Sequence, residues 1–248
     1  MSNKIAVILI FSSFFVFNRL NSQPNATFQL LGGYSLPLGD YEGTFGETQS
    51  QFTHNGNPDS NSYFMKSGSN YGFVVKIAIN KKTLPLNFVG SLLSNSFGQK
   101  KEYSGDSSYT SVNLSQTITT FGIGIEYTMA GKKTIFNPFI MAQITLNLFS
   151  GQYIEYDGEV TTTLNLYKTV RGGIQLGAGM DYVLHNNVGV CIGVRYSFDN
   201  LIGKSTGQNT PGNYNLNDAA HEESDGFYDA KNITYLQFFG GVSFYFGR

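Results

Sequence analysis

Five charged residues stand at alternate positions within runs of glycine and apolar residues. They are Lys76, Glu126, Arg171, Asp181 and Arg195. In an extended segment these side chains would point to the same side as the neighbouring glycines. An unpaired charge away from water is costly, so charges of opposite sign at one depth are expected to pair. Two kinds of chemistry are open: a gate or selectivity site in a narrow passage, or a network of ion pairs and glutamine side chains that closes it.

The three histidines lie outside these segments. His221 opens the acidic stretch HEESD (221–225), whose groups could be arranged around a histidine general base for hydrolysis. His54 lies in another connecting segment, and His185 lies in a short turn. Catalytic groups need rigid supporting elements. The histidines are therefore expected to be solvated, and no catalytic residue and no cofactor site are predicted.

The stretch EYDGEV (155–160) places Glu155, Asp157 and Glu159 on one side of an extended segment. Carboxylates in this pattern could bind a divalent cation. A charge cluster in a connecting segment is more often simply solvated. We therefore predict no metal site.

The composition narrows the class of protein. The chain has 248 residues, of which 13% are charged, with 29 Gly, 16 Tyr and 21 Phe. This is typical neither of a disordered chain nor of an ordinary helical enzyme. The formal net charge of −1 gives no indication of nucleic acid as a partner. Cys191 is the single cysteine, which excludes an intramolecular disulfide and a cysteine-based zinc site.

The N-terminus has the pattern of a secretory signal. Lys4 precedes an apolar run over 5–17, and small and polar residues follow up to Ser22. The run is shorter than the roughly 20 residues of a membrane-spanning helix. We predict a cleavable signal peptide over 1–22 and a mature chain over 23–248.

The mature chain contains eight segments in which apolar residues alternate with small or polar ones. They cover about 26–36, 71–79, 85–97, 114–129, 135–149, 167–184, 188–199 and 232–246. The connections between them alternate between long and short, which predicts an all-β, eight-stranded antiparallel up-and-down barrel with its long loops at one end. The predicted long loops are 37–70, 98–113, 150–166 and 200–231.

The stretch VGVCIGVRYSFD (188–199) shows which face points inward. Its even positions are apolar, and its odd positions include Gly189, Gly193 and Arg195. Glycine weakens an exposed strand surface but fits the narrow interior of an eight-stranded barrel. Aromatic residues gather toward both strand ends, as at two membrane–water boundaries. We predict an apolar face turned to lipid and a transmembrane barrel, with a secreted soluble β-sandwich as the alternative.

Two stretches resemble a known family. FQLLGGYSLPLGDY (28–41) and YLQFFGGVSFYFGR (235–248) are similar to the first and last strands of eight-stranded outer-membrane β-barrel proteins. The likeness is to the outer-membrane protein A and X type, in the form common in Bacteroidota-like bacteria. It implies export to the outer membrane of a Gram-negative-type bacterium. It also implies contact with outer-membrane lipid, lipopolysaccharide and the barrel assembly machinery.

The function expected from these features is non-enzymatic. The lumen would be plugged by polar and charged side chains, and the role would be structural or would use surface loops. Loops 37–70 and 200–231 are long and rich in Asn, Ser, Gly and Tyr, which suits binding of an extracellular ligand. One alternative is a narrow porin-like pore for ions or small solutes. A second is an outer-membrane hydrolase acting at the rim through His221.

Overall fold

The computed structural model describes residues 24–44, 62–80, 84–104, 109–129, 135–185, 187–207, 210–223 and 226–247. The predicted signal peptide, 1–22, lies outside them. No helix within these ranges is long and apolar enough to cross a membrane.

Eight antiparallel strands of the described chain close into a barrel. Each pairs with its neighbour in sequence, and the first pairs with the last. The prediction of an all-β, eight-stranded antiparallel up-and-down barrel is therefore confirmed. The strands are β1 (Ala26–Leu38), β2 (Gly68–Asn80), β3 (Leu84–Ser104), β4 (Tyr109–Thr128), β5 (Phe136–Tyr156), β6 (Thr169–His185), β7 (Val188–Ile202) and β8 (Thr234–Phe246).

The seam between β1 and β8 closes the barrel over the full length of both strands. The pairing runs from Ala26 opposite Phe246 to Leu38 opposite Thr234. Glycine is required at two points of this seam, because a Cβ on Gly33 would overlap the carbonyl oxygen of Phe238 and one on Gly241 would overlap that of Leu30. This close approach of two backbones explains why a strand-weakening residue stands in the middle of β1.

The two faces of the wall have the predicted orientation. Outward side chains are apolar and exposed, as shown by Ile144 at 64% and Ile192 at 59%. Inward side chains include Gln29 and Gln175, which are buried. The barrel is thus apolar outside and largely polar inside, the reverse of a soluble β-barrel.

Three strands continue well past the predicted ends, so two of the predicted loops are wrong in extent. Most of 98–113 is paired sheet, because β3 and β4 remain in register up to Ser104 opposite Tyr109. In 150–166, β5 continues to Tyr156 and pairs with a short strand, Thr161–Leu166. These extensions bury Val112 and Tyr153 on one side and expose polar residues on the other. On the exposed side these extensions lack the regularly spaced apolar residues by which the rest of each strand was predicted.

Parts of the two longest connections fold over the end of the barrel at which the long loops lie, here called the mouth. A 3-10 turn, Gly39–Tyr41, follows β1, and the amide of Tyr63 donates to the carbonyl of Asp40 at 2.8 Å. From the last connection, Asn213–Tyr214 pairs in parallel with the end of the short strand Thr161–Leu166. A separate hairpin joins His221–Glu223 to Gly226–Tyr228.

Two apolar clusters lie inside the barrel. The central cluster contains Leu31, Val74, Val89, Leu93, Phe139, Met141, Cys191 and Phe239. The mouth cluster joins strand residues to loop residues: Tyr41, Tyr63, Phe64, Met65, Phe97, Val112, Leu114, Ile118, Phe149, Tyr153, Leu166, Leu216, Ile233 and Tyr235. Apolar side chains therefore fill part of the interior and the mouth, and Val89, Met141 and Cys191 stand directly opposite Lys76, Glu126 and Asp181 on neighbouring strands.

Candidate functional site

The interior near the short turns is organised around one lysine. The Nζ of Lys76 lies 2.8 Å from Oε2 of Glu126 and 3.1 Å from Oδ2 of Asp181. The three side chains come from β2, β4 and β6, and none is more than 9% exposed. The lysine therefore joins three walls of the barrel through two ion pairs.

Amide and hydroxyl groups occupy further positions around both carboxylates. Asp181 Oδ1 accepts hydrogen bonds from Gln29 Nε2 at 2.7 Å and from Ser243 Oγ at 3.1 Å. Glu126 Oε1 accepts from Asn87 Nδ2 and from Thr128 Oγ1, each at 3.1 Å. Buried carboxylates are tolerated when they are paired and hydrogen-bonded in this way. We call Lys76, Glu126, Asp181 and these four donors the charge layer.

Arg195 lies apart from the two carboxylates of the charge layer. Its guanidinium carbon is 4.3 Å from the centre of the Phe239 ring, a cation–π arrangement. Among the described residues Arg195 forms no ion pair, and its Nε has no hydrogen-bond partner. Arg195 thus contacts the central apolar cluster through Phe239.

Arg171 joins none of the other four predicted charges. It pairs instead with Asp218 of the last long connection, through Nε to Oδ2 at 2.9 Å and NH2 to Oδ1 at 2.8 Å. Asn200 Nδ2 and the amide of Ser205 also donate to the Asp218 carboxylate, each at 3.0 Å. This two-pronged ion pair, here called the latch, fixes the loop to β6 at the mouth.

A second group of buried polar residues lies under the loops. Tyr41 Oη donates to Gln116 Oε1 at 2.6 Å, and Tyr235 Oη donates to Asp199 Oδ2 at 2.6 Å. Tyr41 and Tyr235 both pack edge-on against Phe97. Burial raises the pKa of Tyr41 well above its ordinary value, so this phenol remains a neutral donor.

Sequence reasoning did not select Asp218, Asp199 or Asn200, which are all buried. Asp199 was visible in principle, because the alternation in β7 places it on the same face as Arg195. Asp218 lies in an irregular segment with no periodicity, and nothing in the sequence indicates that it reaches Arg171. Pairing between a wall and a loop requires the folded path of that loop.

His221 and Asp157, from the two loop stretches considered for chemistry, make local hydrogen bonds to nearby backbone. His221 Nδ1 lies 3.1 Å from the carbonyl of Ala219, and His54 lies outside the described residues. Asp157 accepts the amides of Val160 and Glu159 at 2.7 and 3.1 Å, and these bonds hold the pKa of its carboxyl below the ordinary value. The EYDGEV stretch is thus the end of β5, up to Tyr156, followed by a turn over 157–160. Within the described ranges no three His, Cys, Asp or Glu residues are grouped to hold a metal ion.

No protein-family model matches the chain. No curated protein matches it either. Among solved structures, similarity is found to the outer membrane protein OprG from Pseudomonas aeruginosa, at 10% identity and a TM-score of 0.45, covering 93% of this chain and 100% of that one. Neisserial surface protein A is 13% identical with a TM-score of 0.42, covering 90% and 97%. Ail, the attachment invasion locus protein of Yersinia pestis, is 11% identical with a TM-score of 0.39, covering 89% and 99%. At these identities and TM-scores the likeness carries nothing about activity, ligand or partner.

Proposed function

We propose that this chain is a non-enzymatic outer-membrane β-barrel protein whose lumen is closed by its own side chains, with a structural or surface-binding role. The observation that carries the proposal is the filling of the interior by side chains. The charge layer and the central apolar cluster lie side by side, with Lys76 opposite Val89, Glu126 opposite Met141 and Asp181 opposite Cys191, and the mouth cluster fills the end under the loops. An eight-stranded barrel is just wide enough for side chains to fill.

The exterior supports a place in a lipid bilayer. Outward residues such as Ile123, Ile125, Leu176 and Ile192 are each more than half exposed, a poor arrangement for a protein surrounded by water. A closed barrel satisfies its backbone hydrogen bonds internally, which a strand-built membrane protein requires. Bacterial barrels of this kind lie in the outer membrane, and the predicted signal peptide agrees with export there.

The central apolar cluster favours a closed lumen over a porin-like pore. Phe139 and Phe239 are buried inside the wall, and Met141 and Leu93 lie in the same cluster. An ion crossing this region would lose its water against these apolar side chains and would meet carboxylates that are already paired with Lys76, which is costly. A pore lined for conduction would have a continuous polar path.

The surface role is assigned to the parts of the loops that remain outside. Tyr41, Met65 and Leu216 are buried in the mouth cluster, so some of each long connection serves to close the barrel. Residues 205–207 and the turn around Gly212 are exposed. We assign contact with an extracellular ligand to such exposed parts of loops 37–70 and 200–231, and insertion to the barrel assembly machinery.

Planar-bilayer conductance of the refolded chain tests the proposal, with a gel that compares boiled and unboiled samples. We expect a heat-sensitive gel shift and no discrete conductance steps. Truncating the charge layer and the central apolar cluster together, by Lys76→Ala, Phe139→Ala and Phe239→Ala, should produce conductance steps. The matched lipid-facing variant, Ile123→Ala with Ile144→Ala and Ile192→Ala, should not. Steps from the unmodified chain would instead support the narrow pore, and absence of a gel shift would contradict the barrel in lipid.

A further inference from the structure

The outward face of the barrel changes character at one level on three neighbouring strands. On β3, β4 and β5 the apolar residues Leu92, Phe121 and Leu146 lie side by side in register. From that row toward the mouth, the next outward positions of β3 and β4 carry hydroxyl groups. On β5 the change comes one outward position later, after Leu148. We call this surface the polar panel: Ser94, Ser96, Ser115, Thr117, Thr119, Ser150 and Gln152.

The polar panel carries no charge. Ser96 pairs with Thr117, which pairs with Ser150, and the next row places Ser115 beside Gln152. Its side-chain hydrogen bonds are long, such as 3.3 Å between Ser96 Oγ and Thr117 Oγ1. Each hydroxyl can both donate and accept. The panel therefore presents hydrogen-bond donors and acceptors at fixed positions on a sheet. A ligand that binds to them orders few side chains, so little conformational entropy is lost.

The polar panel does not continue onto the described residues at the mouth ends of β6, which pairs with β5, and of β7. Val170 on β6, and Leu201 and Ile202 on β7, are exposed apolar residues. The polar panel is consequently a feature of one side of the barrel. It directly continues the lipid-facing surface and lies on the outside of the wall, away from the mouth and the lumen.

We propose that the polar panel binds the uncharged sugar units of an outer-leaflet glycolipid. The inference rests on the proposed outer-membrane location, in which the level just above the apolar surface meets the saccharide part of lipopolysaccharide. Sugar hydroxyls match the donors and acceptors of the panel. Phosphate groups would be expected to meet arginine or lysine instead. On β3, positively charged Lys100 appears only above the panel, where it pairs with Glu102 at 2.7 Å.

The test uses the full refolded chain in detergent micelles and measures the temperature at which the folded gel band is lost. Lipopolysaccharide with its core oligosaccharide is titrated in one series, and lipid A with the same acyl chains and phosphates in the other. A ligand that binds the folded state raises this temperature. We expect the half-effective concentration of lipopolysaccharide to be about fivefold lower than that of lipid A, for a few exposed hydrogen bonds.

Variants assign the preference to the panel. Thr117→Val with Thr119→Val removes two hydroxyls at nearly constant volume and should abolish the fivefold preference without changing the response to lipid A. Thr117→Ser with Thr119→Ser keeps the hydroxyls and should preserve it. The control pair, Thr162→Val with Thr210→Val, alters exposed threonines elsewhere and should also preserve it.

Three results would overturn the inference. Equal responses of the unmodified chain to both glycolipids would do so, as would a preference that survives in the Thr→Val pair. Loss of self-association in that pair, with no change in preference, would make the panel a contact between copies. In each case a retained heat-sensitive band leaves the outer-membrane barrel standing. If no sample shows that band, the barrel proposal fails and the inference falls with it.

Discussion

Replacing Lys76 by methionine tests whether the charge layer holds the walls together. The substitution keeps the length of the side chain and removes the cation from between Glu126 and Asp181, which are 2.8 and 3.1 Å away. Breaking a buried ion pair costs about 3–5 kcal/mol. Each carboxylate retains two hydrogen-bond donors, Asn87 and Thr128 for Glu126 and Gln29 and Ser243 for Asp181. We therefore expect the free energy of unfolding to fall by about 3 kcal/mol, at the lower end of that range.

Urea unfolding of the refolded chain in micelles, followed by the folded gel band, measures this loss. The control is Lys76→Met combined with Glu126→Gln and Asp181→Asn, which removes all three charges. No charge is then left unpaired in the interior, so this triple variant should recover part of the stability that Lys76→Met loses. The reasoning is refuted if Lys76→Met costs less than about 1 kcal/mol, or if the triple variant is no more stable than the single one.

Three further predictions concern the mouth and the wall. Asp218→Asn breaks the latch to Arg171, and urea unfolding should show a loss of about 3 kcal/mol, whereas an unchanged value would mean that the latch holds nothing. Gly33→Ala should prevent formation of the heat-sensitive band because a methyl group there overlaps backbone. Gly90→Ala should not, since a Cβ there meets nothing within 4 Å, and equal behaviour of the two would contradict the close approach at the seam. Burial lowers the pKa of Lys231, so keeping its ammonium group charged in the folded chain reduces the free energy of unfolding. This loss of stability is complete below the folded pKa and disappears above the ordinary value of 10.5. Lys231→Met should therefore stabilise the chain at about pH 7, with a gain that shrinks by about pH 10, and urea titrations at both values would expose an opposite trend.

Period-two alternation predicted the wall because its physical cause is local. Ile123 and Ile125 alternate with Gly122 and Gly124, and the structure turns the isoleucines outward. The irregular segment 85–97 is informative in retrospect. Val89 and Leu93 interrupt its small and polar face because they belong to the central apolar cluster, which needs apolar side chains pointing inward.

The structure of the long connections could not be predicted from the sequence because it depends on contacts between residues distant in sequence. The segment 98–113 is polar enough to resemble a loop, and its pairing follows from the register that β3 and β4 set below it. The latch joins residues 47 positions apart. Neither pattern leaves a periodic trace, whereas the positions of Lys76, Glu126 and Asp181 within alternating strands could be read directly.

The chain carries one thiol, and the barrel encloses it. Cys191 belongs to the central apolar cluster and is 1% exposed. A chain whose walls have not yet met would leave this sulfur open to a water-borne alkylating reagent, while a sealed chain would shield it. The fraction of molecules alkylated in a brief pulse would then count the unsealed chains at each moment of assembly. Alkylation of Cys191, measured by mass spectrometry at successive times, would therefore report the rate of barrel closure without an added labelling site.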